Sequence, residues 1–376
     1  MRAAPRLGLL VIAKLLGFTA ALLCLNVGLL WPRAGESATG TGLAGGAGAG
    51  QPGQPPRPGR PIRVGLVFDI GGRGDKSFND SAYNGVARAL RELNVRAEFV
   101  EPGDGADRES GLRLLAARGF DLVIGVGFVF SDDMIDVARD YPRVRFACID
   151  YAKFDANGFV MPPPNMAALK FREEEGSFLV GAVAALTAAE KTGRPGGHVL
   201  GFVGGMDMPL IRKFAVGYRQ GALHVCPDCR VLTGYASHSP EGFKNPARGK
   251  ELALAQYAAG AFVVYQAAGS TGLGVFEAAR EQDRRAIGVD SDQWDEAPGY
   301  LLTSMTKQVD VSVFEIIRAV QEDRFTPGVR VFGLREGGVD YAYDEPRRHM
   351  ISPAVREQVE ALRREIIAGR ISVKAE

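Results

Sequence analysis

The segment from Asp69 to Asp80 reads Asp-Ile-Gly-Gly-Arg-Gly-Asp-Lys-Ser-Phe-Asn-Asp and combines one aromatic ring, one amide and several carboxylates before a predicted helix. A local interpretation is available, since Ser77 or Asn79 can cap that helix and Phe78 can staple it. An aromatic face beside an amide is also what a heterocyclic base needs, because the base stacks at about 1–3 kcal/mol and forms hydrogen bonds along its edge. Phe78 and Asn79 are therefore candidate contacts for such a ring.

Charged side chains also stand at or just past the ends of predicted strands. Asp69, Asp132 and Asp290 are carboxylates in such positions, and Lys307 follows another strand. Buried carboxylates accept hydrogen bonds from sugar hydroxyls and so discriminate against analogues that lack them. Lys307 would orient Asp290 or donate to a hydroxyl itself. For each residue taken alone a solvated loop is the simpler interpretation, but together on one edge they favour a binding cleft.

The sequence contains no catalytic or metal-binding motif. The run Gly269–Gly274 superficially resembles a dinucleotide turn but lacks the GxGxxG spacing, and Asp290 about 20 positions later supports a nucleotide cofactor only weakly. No GxSxG elbow and no GxxxxGK[ST] phosphate loop occurs, and the histidines lack a metal-ligand spacing such as HExxH. We therefore expect that this protein binds no metal or cofactor and is not an enzyme. The histidines are His198, His224, His238 and His349.

Residues 1–34 have the pattern of an export signal. Arg2 and Arg6 precede a largely apolar stretch from Leu7 to Trp31. Its last 17 residues carry no charge and fall slightly short of the ~20 that a spanning helix needs. We expect a signal peptide, with a signal anchor as the alternative. The chain is therefore expected in the bacterial periplasm or cell envelope.

Two features bear on how the chain is attached to the membrane, namely a cysteine inside the apolar stretch and the segment that follows this stretch. Cys24 follows Ala-Leu-Leu and resembles the lipidated cysteine of a bacterial lipoprotein signal, although the leucines are bulkier than that pattern requires. An ordinary apolar position inside the signal is the other interpretation of Cys24. Residues 35–60 are mainly Gly, Ala, Ser, Thr, Gln and Pro and cannot bury enough surface to fold, so we expect a disordered tether.

The other cysteines lie in the folded part. Cys226-Pro-Asp-Cys229 is the only CxxC in the sequence and falls between a predicted helix and a predicted strand. A disulfide closing this turn is favoured, because export places the pair in an oxidising compartment. Redox catalysis and half of a zinc site are the alternatives. Cys148 alternates with its neighbours like a core strand residue and is expected to be a buried free thiol.

Strand-like and helix-like segments alternate after the tether, which is typical of βαβ units and parallel sheets. The predicted strands are Ile62–Asp69, Arg96–Val100, Leu122–Val126, Val144–Asp150, Val199–Val203, Arg230–Thr233, Ala261–Tyr265, Ala286–Asp290 and Tyr300–Thr306. The predicted helices are Ser81–Leu93, Arg108–Ala117, Asp132–Asp140 and Leu210–His224. The pattern restarts near Val199, which indicates two similar lobes. Ligands bind outside the carboxyl ends of strands in open sheets, so two facing edges would form a cleft.

Length and charge agree with this organisation. The chain has 376 residues, enough for two compact domains. Its 45 basic and 44 acidic side chains give a net charge of +1, which provides no broad positive surface for nucleic acid. Glycine is in excess, at 48 residues or roughly 13% against an average of about 7%. The tether and strand-to-helix turns are the expected places for it.

Five motifs together resemble one family. They are Gly74-Asp-Lys-Ser-Phe-Asn-Asp80, Lys170-Phe-Arg-Glu-Glu-Glu-Gly-Ser177, Gly201-Phe-Val-Gly-Gly205, Lys213-Phe-Ala-Val-Gly-Tyr218 and Gly288-Val-Asp-Ser-Asp-Gln293. The chain from about Ile62 to Tyr343 is similar to the basic membrane protein family, the purine nucleoside receptor lipoproteins that serve ABC transporters. The resemblance implies the type I periplasmic-binding-protein fold, an α/β fold with two Rossmann-like lobes, parallel sheets and a three-segment hinge. We expect residues 61–165 with 295–328 in the N-terminal lobe and residues 166–294 with 329–376 in the C-terminal lobe.

The resemblance also implies roles for single residues. Phe78 would stack on a purine, with Asn79 and Asp132 bonding the edge of the base. The ribose hydroxyls would be held by Asp69, Asp290 and Lys307, close to the backbone at Gly269. A second aromatic ring would come from the far lobe, for which Tyr265 is the candidate, whereas the Lys170–Ser177 motif would build the region between the lobes.

The function implied is capture by closure, in which a purine nucleoside shifts an open–closed equilibrium because it contacts both lobes. The expected partners are the ligand and an ABC-transporter permease, the expected state is a monomer, and only an N-terminal anchor would meet the membrane. Two alternatives use the same pocket: a nucleoside hydrolase or phosphorylase, and a sensor that docks on a membrane receptor.

Overall fold

The computed structural model describes residues 59–103, 108–344 and 349–376. The expected signal segment, Cys24 and nearly all of the expected tether lie outside these ranges. No helix within them has the length and apolar character needed to cross a bilayer.

Strands and helices alternate through most of these ranges, as predicted. The strands are β1 (Ile62–Val67), β2 (Val95–Val100), β3 (Leu122–Val126), β4 (Arg145–Ile149), β5 (Phe154–Asp155), β6 (Gly158–Phe159), β7 (Met166–Phe171), β8 (Val199–Met206), β9 (Arg230–Ser237), β10 (Ala261–Ala267), β11 (Arg285–Asp290), β12 (Leu301–Lys307), β13 (Gly328–Phe332) and β14 (Val339–Tyr341). The helices are α1 (Phe78–Glu92), α2 (Arg108–Ala117), α3 (Ser131–Asp140), α4 (Glu173–Thr192), α5 (Pro209–Val225), α6 (Pro246–Ala258), α7 (Thr271–Glu281), α8 (Val309–Gln321) and α9 (Pro353–Ile367). Short 3₁₀ turns occupy Phe128–Phe130, Pro240–Phe243 and Trp294–Glu296.

Two six-stranded sheets define the two lobes. The N-terminal lobe has the strand order β13-β7-β4-β3-β1-β2, and the C-terminal lobe has the order β14-β12-β11-β10-β8-β9. The two orders correspond strand for strand, which is the duplication that the sequence predicts. All pairs are parallel except β12 with β14 and the small β5–β6 hairpin.

The chain passes between the lobes three times, but not at the expected boundaries. The crossings lie between β7 and α4, between β12 and α8, and between β13 and β14. Strand β7 pairs with β4 and β13 and so belongs to the N-terminal lobe, whereas β12 pairs with β11 and belongs to the C-terminal lobe. The predicted strand Tyr300–Thr306 corresponds to β12 but was expected in the other lobe, and no strand was predicted for β7.

Glycine serves a second purpose besides the turns. Helices α4 and α5 pack so closely that a Cβ at Gly221 would overlap the carbonyl oxygen of Phe178, and one at Gly217 would overlap that of Glu174. Small residues at such positions let two helix backbones approach each other. Part of the glycine excess therefore belongs to helix packing beside the crossings, which the sequence analysis did not anticipate.

Candidate functional site

A cavity that is partly open to solvent lies where the carboxyl ends of the two sheets face each other. Both lobes contribute to its wall. The polar side chains that line it are those of Asp69, Asp75, Asn79, Asp150, Asp290 and Lys307, and Gly269 also lies in the wall. The apolar ones are Ile70, Phe78, Phe128, Leu210, Ile211, Phe214, Phe243, Ala267 and Val289. A mostly apolar wall with a few convergent polar groups is typical of a small-molecule site.

The glycine-rich loop before α1 is organised by Asp75, which the sequence analysis did not single out. The buried Asp75 carboxylate accepts hydrogen bonds from the backbone amides of Ser77, Asn79 and Asp80 at 3.0, 2.8 and 3.1 Å. Ser77 forms no side-chain capping bond, so Asp75 performs the capping that the local interpretation gave to Ser77 or Asn79. Burial raises the pKa of the Asp75 carboxyl, while these amides lower it.

Asn79 is buried beneath this loop and is already engaged. Its Nδ2 donates to Asp75 Oδ2 at 3.1 Å, and its Oδ1 accepts from the Asp69 amide at 3.0 Å. An amide has two N–H donors and two acceptor lone pairs, so one of each stays available beyond these bonds. The amide is thus held in a single orientation at the cavity wall.

Aromatic rings reach the cavity from both lobes. Phe78, the first residue of α1, and Phe128 come from the N-terminal lobe, while Phe214 and Phe243 come from the C-terminal lobe. The ring centroids of Phe128 and Phe243 are 6.4 Å apart across the cleft. The two lobes therefore touch at this point.

Tyr265 is not among these rings. Its side chain is completely buried, its hydroxyl lies 3.1 Å from Ser177 Oγ, and its ring packs against Phe202 and Tyr218. The side chain lies in the core because Tyr265 is inside β10, two residues before Ala267, which is where that strand reaches the cavity. The structure therefore offers Phe243 or Phe214, rather than Tyr265, as the far-lobe aromatic.

A buried group of charges lies beside Phe78. Lys307 Nζ is 2.6 Å from Asp150 Oδ2 and 3.0 Å from Glu173 Oε1, and Lys213 Nζ is 3.1 Å from Glu173 Oε2. Burial alone would lower the pKa of Lys307, but the Asp150 and Glu173 carboxylates raise it above the usual lysine value. Burial likewise opposes ionisation of Glu173, yet Lys307 and Lys213 hold the pKa of its carboxyl below its usual range. The ammonium is therefore charged at the cavity wall.

Two carboxylate oxygens in this group lack a hydrogen-bond partner among the described residues, and one of them, Glu173 Oε1, still lies 3.0 Å from the Lys307 ammonium. Asp150 Oδ1 is buried and has no hydrogen-bond partner in the described part of the chain. Asp150 directly follows β4 with φ of 61°, and Asp290 ends β11 with φ of 62°. The two aspartates thus occupy equivalent positions in the two lobes, both at the cavity.

Burial affects two further carboxyls of the wall. It raises the pKa of Asp69 to about 7, an effect that the Ile70 amide opposes and the Asp150 charge adds to. It raises the pKa of Asp290 to about 6, against the opposing charge of Lys307 and a hydrogen bond from Ser77. Such shifts are common where carboxyls line a functional cleft.

The structure does not bring Asp132 to the cavity. Its side chain is 65% exposed and pairs with Lys153 at 2.5 Å. Asp132 is the second residue of α3, and the preceding 3₁₀ turn presents Phe128 to the cavity instead. The carboxylates that the N-terminal lobe supplies to the cavity are Asp69, Asp75 and Asp150.

Of the polar side chains in the wall, Asp69, Asn79, Asp290 and Lys307 were predicted from the sequence, whereas Asp75 and Asp150 were not. Asp150 was visible as a strand-ending aspartate in the same position as Asp290, and that repeat was a sufficient signal to select it. Glu173 belongs to the Lys170–Ser177 motif, which was expected between the lobes, and in the structure it begins α4 directly after the first crossing. For the aromatic residues Phe128, Phe214 and Phe243 no spacing signal distinguishes a wall position from a core position.

Three of the four cysteines lie within the described ranges. Cys226 and Cys229 form a disulfide at the turn between α5 and β9, and Cys148 is a buried free thiol in β4. Burial raises the pKa of that thiol well above its usual value. Within the described ranges no group of His, Cys, Asp and Glu side chains has the geometry to hold a metal ion.

Comparison with known proteins relates this geometry to one family. A family model described as ABC transporter substrate-binding protein, PnrA-like, matches residues 62–376. A protein named uncharacterized lipoprotein from Pyrococcus horikoshii is 36% identical over 291 residues, which cover 74% of this chain and 68% of that protein. The ABC transporter nucleoside-binding protein BmpA of Lactococcus lactis is 29% identical over 334 residues, which cover 83% of this chain and 89% of that protein.

Solved structures agree with these relatives. An ABC transporter solute-binding protein from Aeropyrum pernix K1 superposes with a TM-score of 0.74 at 31% identity, covering 84% of this chain and 94% of the other. One from Conexibacter woesei has a TM-score of 0.65 at 21% identity, covers 84% and 99%, and shares the fold. The expected two-lobed solute-binding fold, and a binding protein in place of an enzyme, are confirmed. The chain belongs to the family of PnrA-like substrate-binding proteins of ABC transporters.

Proposed function

We propose that this protein captures a purine nucleoside between its two lobes and delivers it to the permease of an ABC importer. The proposal rests on one combination in the cavity. Aromatic rings reach it from both lobes, and Asp150 Oδ1 in its wall is a buried acceptor without a partner among the described residues. An unsatisfied buried acceptor costs about 1–3 kcal/mol, which a ligand hydroxyl or N–H would recover on binding. The relative from Lactococcus lactis, named as nucleoside-binding, points to the same class of ligand.

The wall divides into two chemistries that match the two halves of a nucleoside. Phe78 and a far-lobe ring, Phe243 or Phe214, would enclose the base, and the remaining donor and acceptor of Asn79 would meet its edge. Asp290 and Lys307 would hold the sugar hydroxyls, with Asp69, Asp150 and the Gly269 backbone near by. Because these groups come from both lobes, the ligand stabilises the closed state over the open one.

Calorimetry with inosine, adenosine, guanosine, uridine and cytidine tests the ligand class. We expect the three purine nucleosides to bind more tightly than the two pyrimidine nucleosides, since the larger base stacks over more of the aromatic wall. Small-angle scattering should show a smaller radius of gyration with inosine than without it. Failure to bind any purine nucleoside would contradict the proposal.

Delivery and attachment need separate tests. Cells that lack this chain should take up less labelled inosine, and uptake should return with the wild-type gene. For attachment we propose a lipid on Cys24 in the cell envelope, with the folded part monomeric on its tether. The relative named as a lipoprotein supports this. Palmitate should label the wild-type chain and not the Cys24→Ser variant.

A further inference from the structure

The turn before α1 is tied to the opposite lobe by hydrogen bonds that cross the cleft. Ser77 Oγ donates to Asp290 Oδ2 at 2.6 Å, and Ser291 Oγ donates to the Ser77 carbonyl at 3.2 Å. Gln293 Nε2 donates to the Lys76 carbonyl at 2.9 Å. Ser77 is completely buried, and Gln293 is 2% exposed. The bond between Ser77 and Asp290 is therefore protected from water, and all three bonds depend on the lobes being together.

The C-terminal lobe holds its side of this contact rigidly. Gln293 Oε1 accepts from Gln266 Nε2 at 2.8 Å and from the Val289 amide at 2.9 Å. The backbone amide of Gln293 donates to Ser304 Oγ at 3.1 Å. The residues around Asp290 are thus fixed by hydrogen bonds within their own lobe, whereas the Asp290 carboxylate accepts its hydrogen bond from Ser77 of the other lobe.

Asp290 has charged and titratable neighbours on several elements. Lys307 at the end of β12 attracts its carboxylate, while Asp150 after β4 and Asp75 before α1 repel it. Tyr265 in β10 is buried near by and stays neutral, because burial raises its pKa well above the usual value. Among the described residues, Ser77 is the only one whose side chain donates a hydrogen bond to the Asp290 carboxylate.

We propose that Ser77 is a positioning residue, which orients the Asp290 carboxylate toward a sugar hydroxyl only when the lobes are closed. The inference rests on the proposed function, in which Asp290 receives that hydroxyl. It assigns to the loop before α1 a task besides carrying Phe78. The carboxylate is then oriented for the sugar only in the closed state, because the hydrogen bond from Ser77 crosses the cleft.

The proposal differs from a structural role for Ser77 in its dependence on pH and on ligand. A donor to a carboxylate stabilises its ionised form, so removing the hydroxyl raises the pKa of Asp290 further. The wild-type pKa of about 6 already lies close to neutral pH. Loss of the donor would therefore weaken sugar recognition most at mildly acidic pH, and it would leave recognition of the base unchanged.

The test compares wild-type, Ser77→Ala and Ser77→Thr by calorimetry with inosine and with hypoxanthine, which has no sugar, between pH 5 and 8. We expect Ser77→Ala to weaken inosine binding about tenfold, since hydrogen bonds to charged groups are strong. The midpoint of its pH dependence should move upward, hypoxanthine affinity should not change, and Ser77→Thr should restore the wild-type profile. In an Asp290→Asn background, Ser77→Ala should have no further effect on inosine. Ser77→Cys, a weaker donor of similar size, serves the same comparison if Ser77→Ala does not fold.

Two results would overturn the assignment while the proposed function stands. One is an equal loss of inosine and hypoxanthine affinity, which indicates a packing role. The other is inosine binding by Ser77→Ala that matches wild-type at every pH. If wild-type itself binds no nucleoside, both the proposed function and the role of Ser77 are refuted together.

Discussion

Lys307 Nζ lies 2.6 Å from Asp150 Oδ2, although Lys307 ends a strand of the C-terminal sheet and Asp150 follows a strand of the N-terminal sheet. The same ammonium lies 3.0 Å from Glu173, which begins the helix after the first crossing between the lobes. Both carboxylates are almost fully buried. One side chain thus joins the cavity, the opposite lobe and a crossing segment.

Replacing Lys307 should strongly reduce both the stability of the protein and its affinity for ligand. Lys307→Met leaves the buried Asp150 carboxylate without its cation and leaves Glu173 with Lys213 alone. Breaking a buried ion pair costs about 3–5 kcal/mol. We expect a lower melting temperature at pH 7.5 and inosine binding too weak to measure. Stability should recover in part at pH 5, because a lower pH favours the neutral form of the Asp150 carboxyl, whose pKa burial raises. Thermal unfolding at both pH values measures this.

Lys153→Met is the matched control, since it removes the same charge from an exposed pair with Asp132. Exposed pairs contribute about 0–1 kcal/mol, so stability should barely change. A comparable loss of stability in the two variants would contradict the role given to the buried cluster.

Phe78→Ala tests the aromatic wall. The ring is half-buried at the cavity, so its removal should weaken inosine binding by about tenfold or more through lost stacking. The melting temperature should change little. Phe154→Ala provides a comparison, because Phe154 is 58% exposed and outside the cavity wall. An unchanged dissociation constant in Phe78→Ala would refute the stacking role.

Asp290→Ala should weaken binding of ribosides more than binding of the corresponding free bases, because its carboxylate is assigned to the sugar. Titrations with inosine and hypoxanthine measure the difference. Asp132→Ala should leave both affinities at the wild-type value, since Asp132 is exposed and lies outside the cavity wall. Equal losses for both ligands in Asp290→Ala would reject the sugar assignment.

Asp69 predicts how the stability of the ligand-free protein depends on pH. Its pKa of about 7 in the folded state exceeds the value of about 4 expected when unfolded. Between these values the folded state binds more protons than the unfolded state, so rising pH lowers the free energy of unfolding. Asp69→Asn is neutral in both states and loses this dependence.

We therefore expect Asp69→Asn to gain about 1–3 kcal/mol relative to wild-type on going from pH 4 to pH 8, allowing for the partial exposure of the side chain. Denaturant unfolding of both proteins at several pH values measures the gain. Parallel pH curves for the two proteins would show that Asp69 titrates normally.

The disulfide should matter for stability and not for binding. Its cysteines are separated by 3 positions and lie outside the cavity wall. The closed loop is so short that its loss should cost about 2 kcal/mol. The Cys226→Ser/Cys229→Ser double variant should unfold at lower denaturant concentration and keep the inosine affinity of the wild-type. A weaker affinity would mean that the turn influences the cleft.

Much of this protein follows from local sequence. Alternating strand and helix patterns repeat along the chain, and they predict two parallel sheets because each pattern reflects which side chains a βαβ unit must bury. Phe78, Asn79, Gly269, Asp290 and Lys307 could be selected in advance because the carboxyl ends of parallel strands meet at one edge. The spacing of Cys226 and Cys229, together with the export signal, favours the disulfide that the structure contains.

The remaining decisions belong to the tertiary structure. Asp132 and Asp150 both follow strands, but the direction in which the first turn of a helix points its side chains exposes Asp132, whereas Asp150 is buried against Lys307 from the other sheet. Tyr265 and Phe243 both stand near strand ends, and only packing between the lobes leaves Phe243 at the cavity. Such choices depend on contacts between residues far apart in the sequence, such as Asp150 and Lys307, which are 157 positions apart. Local pattern cannot express them, because their energies exist only once the two lobes meet.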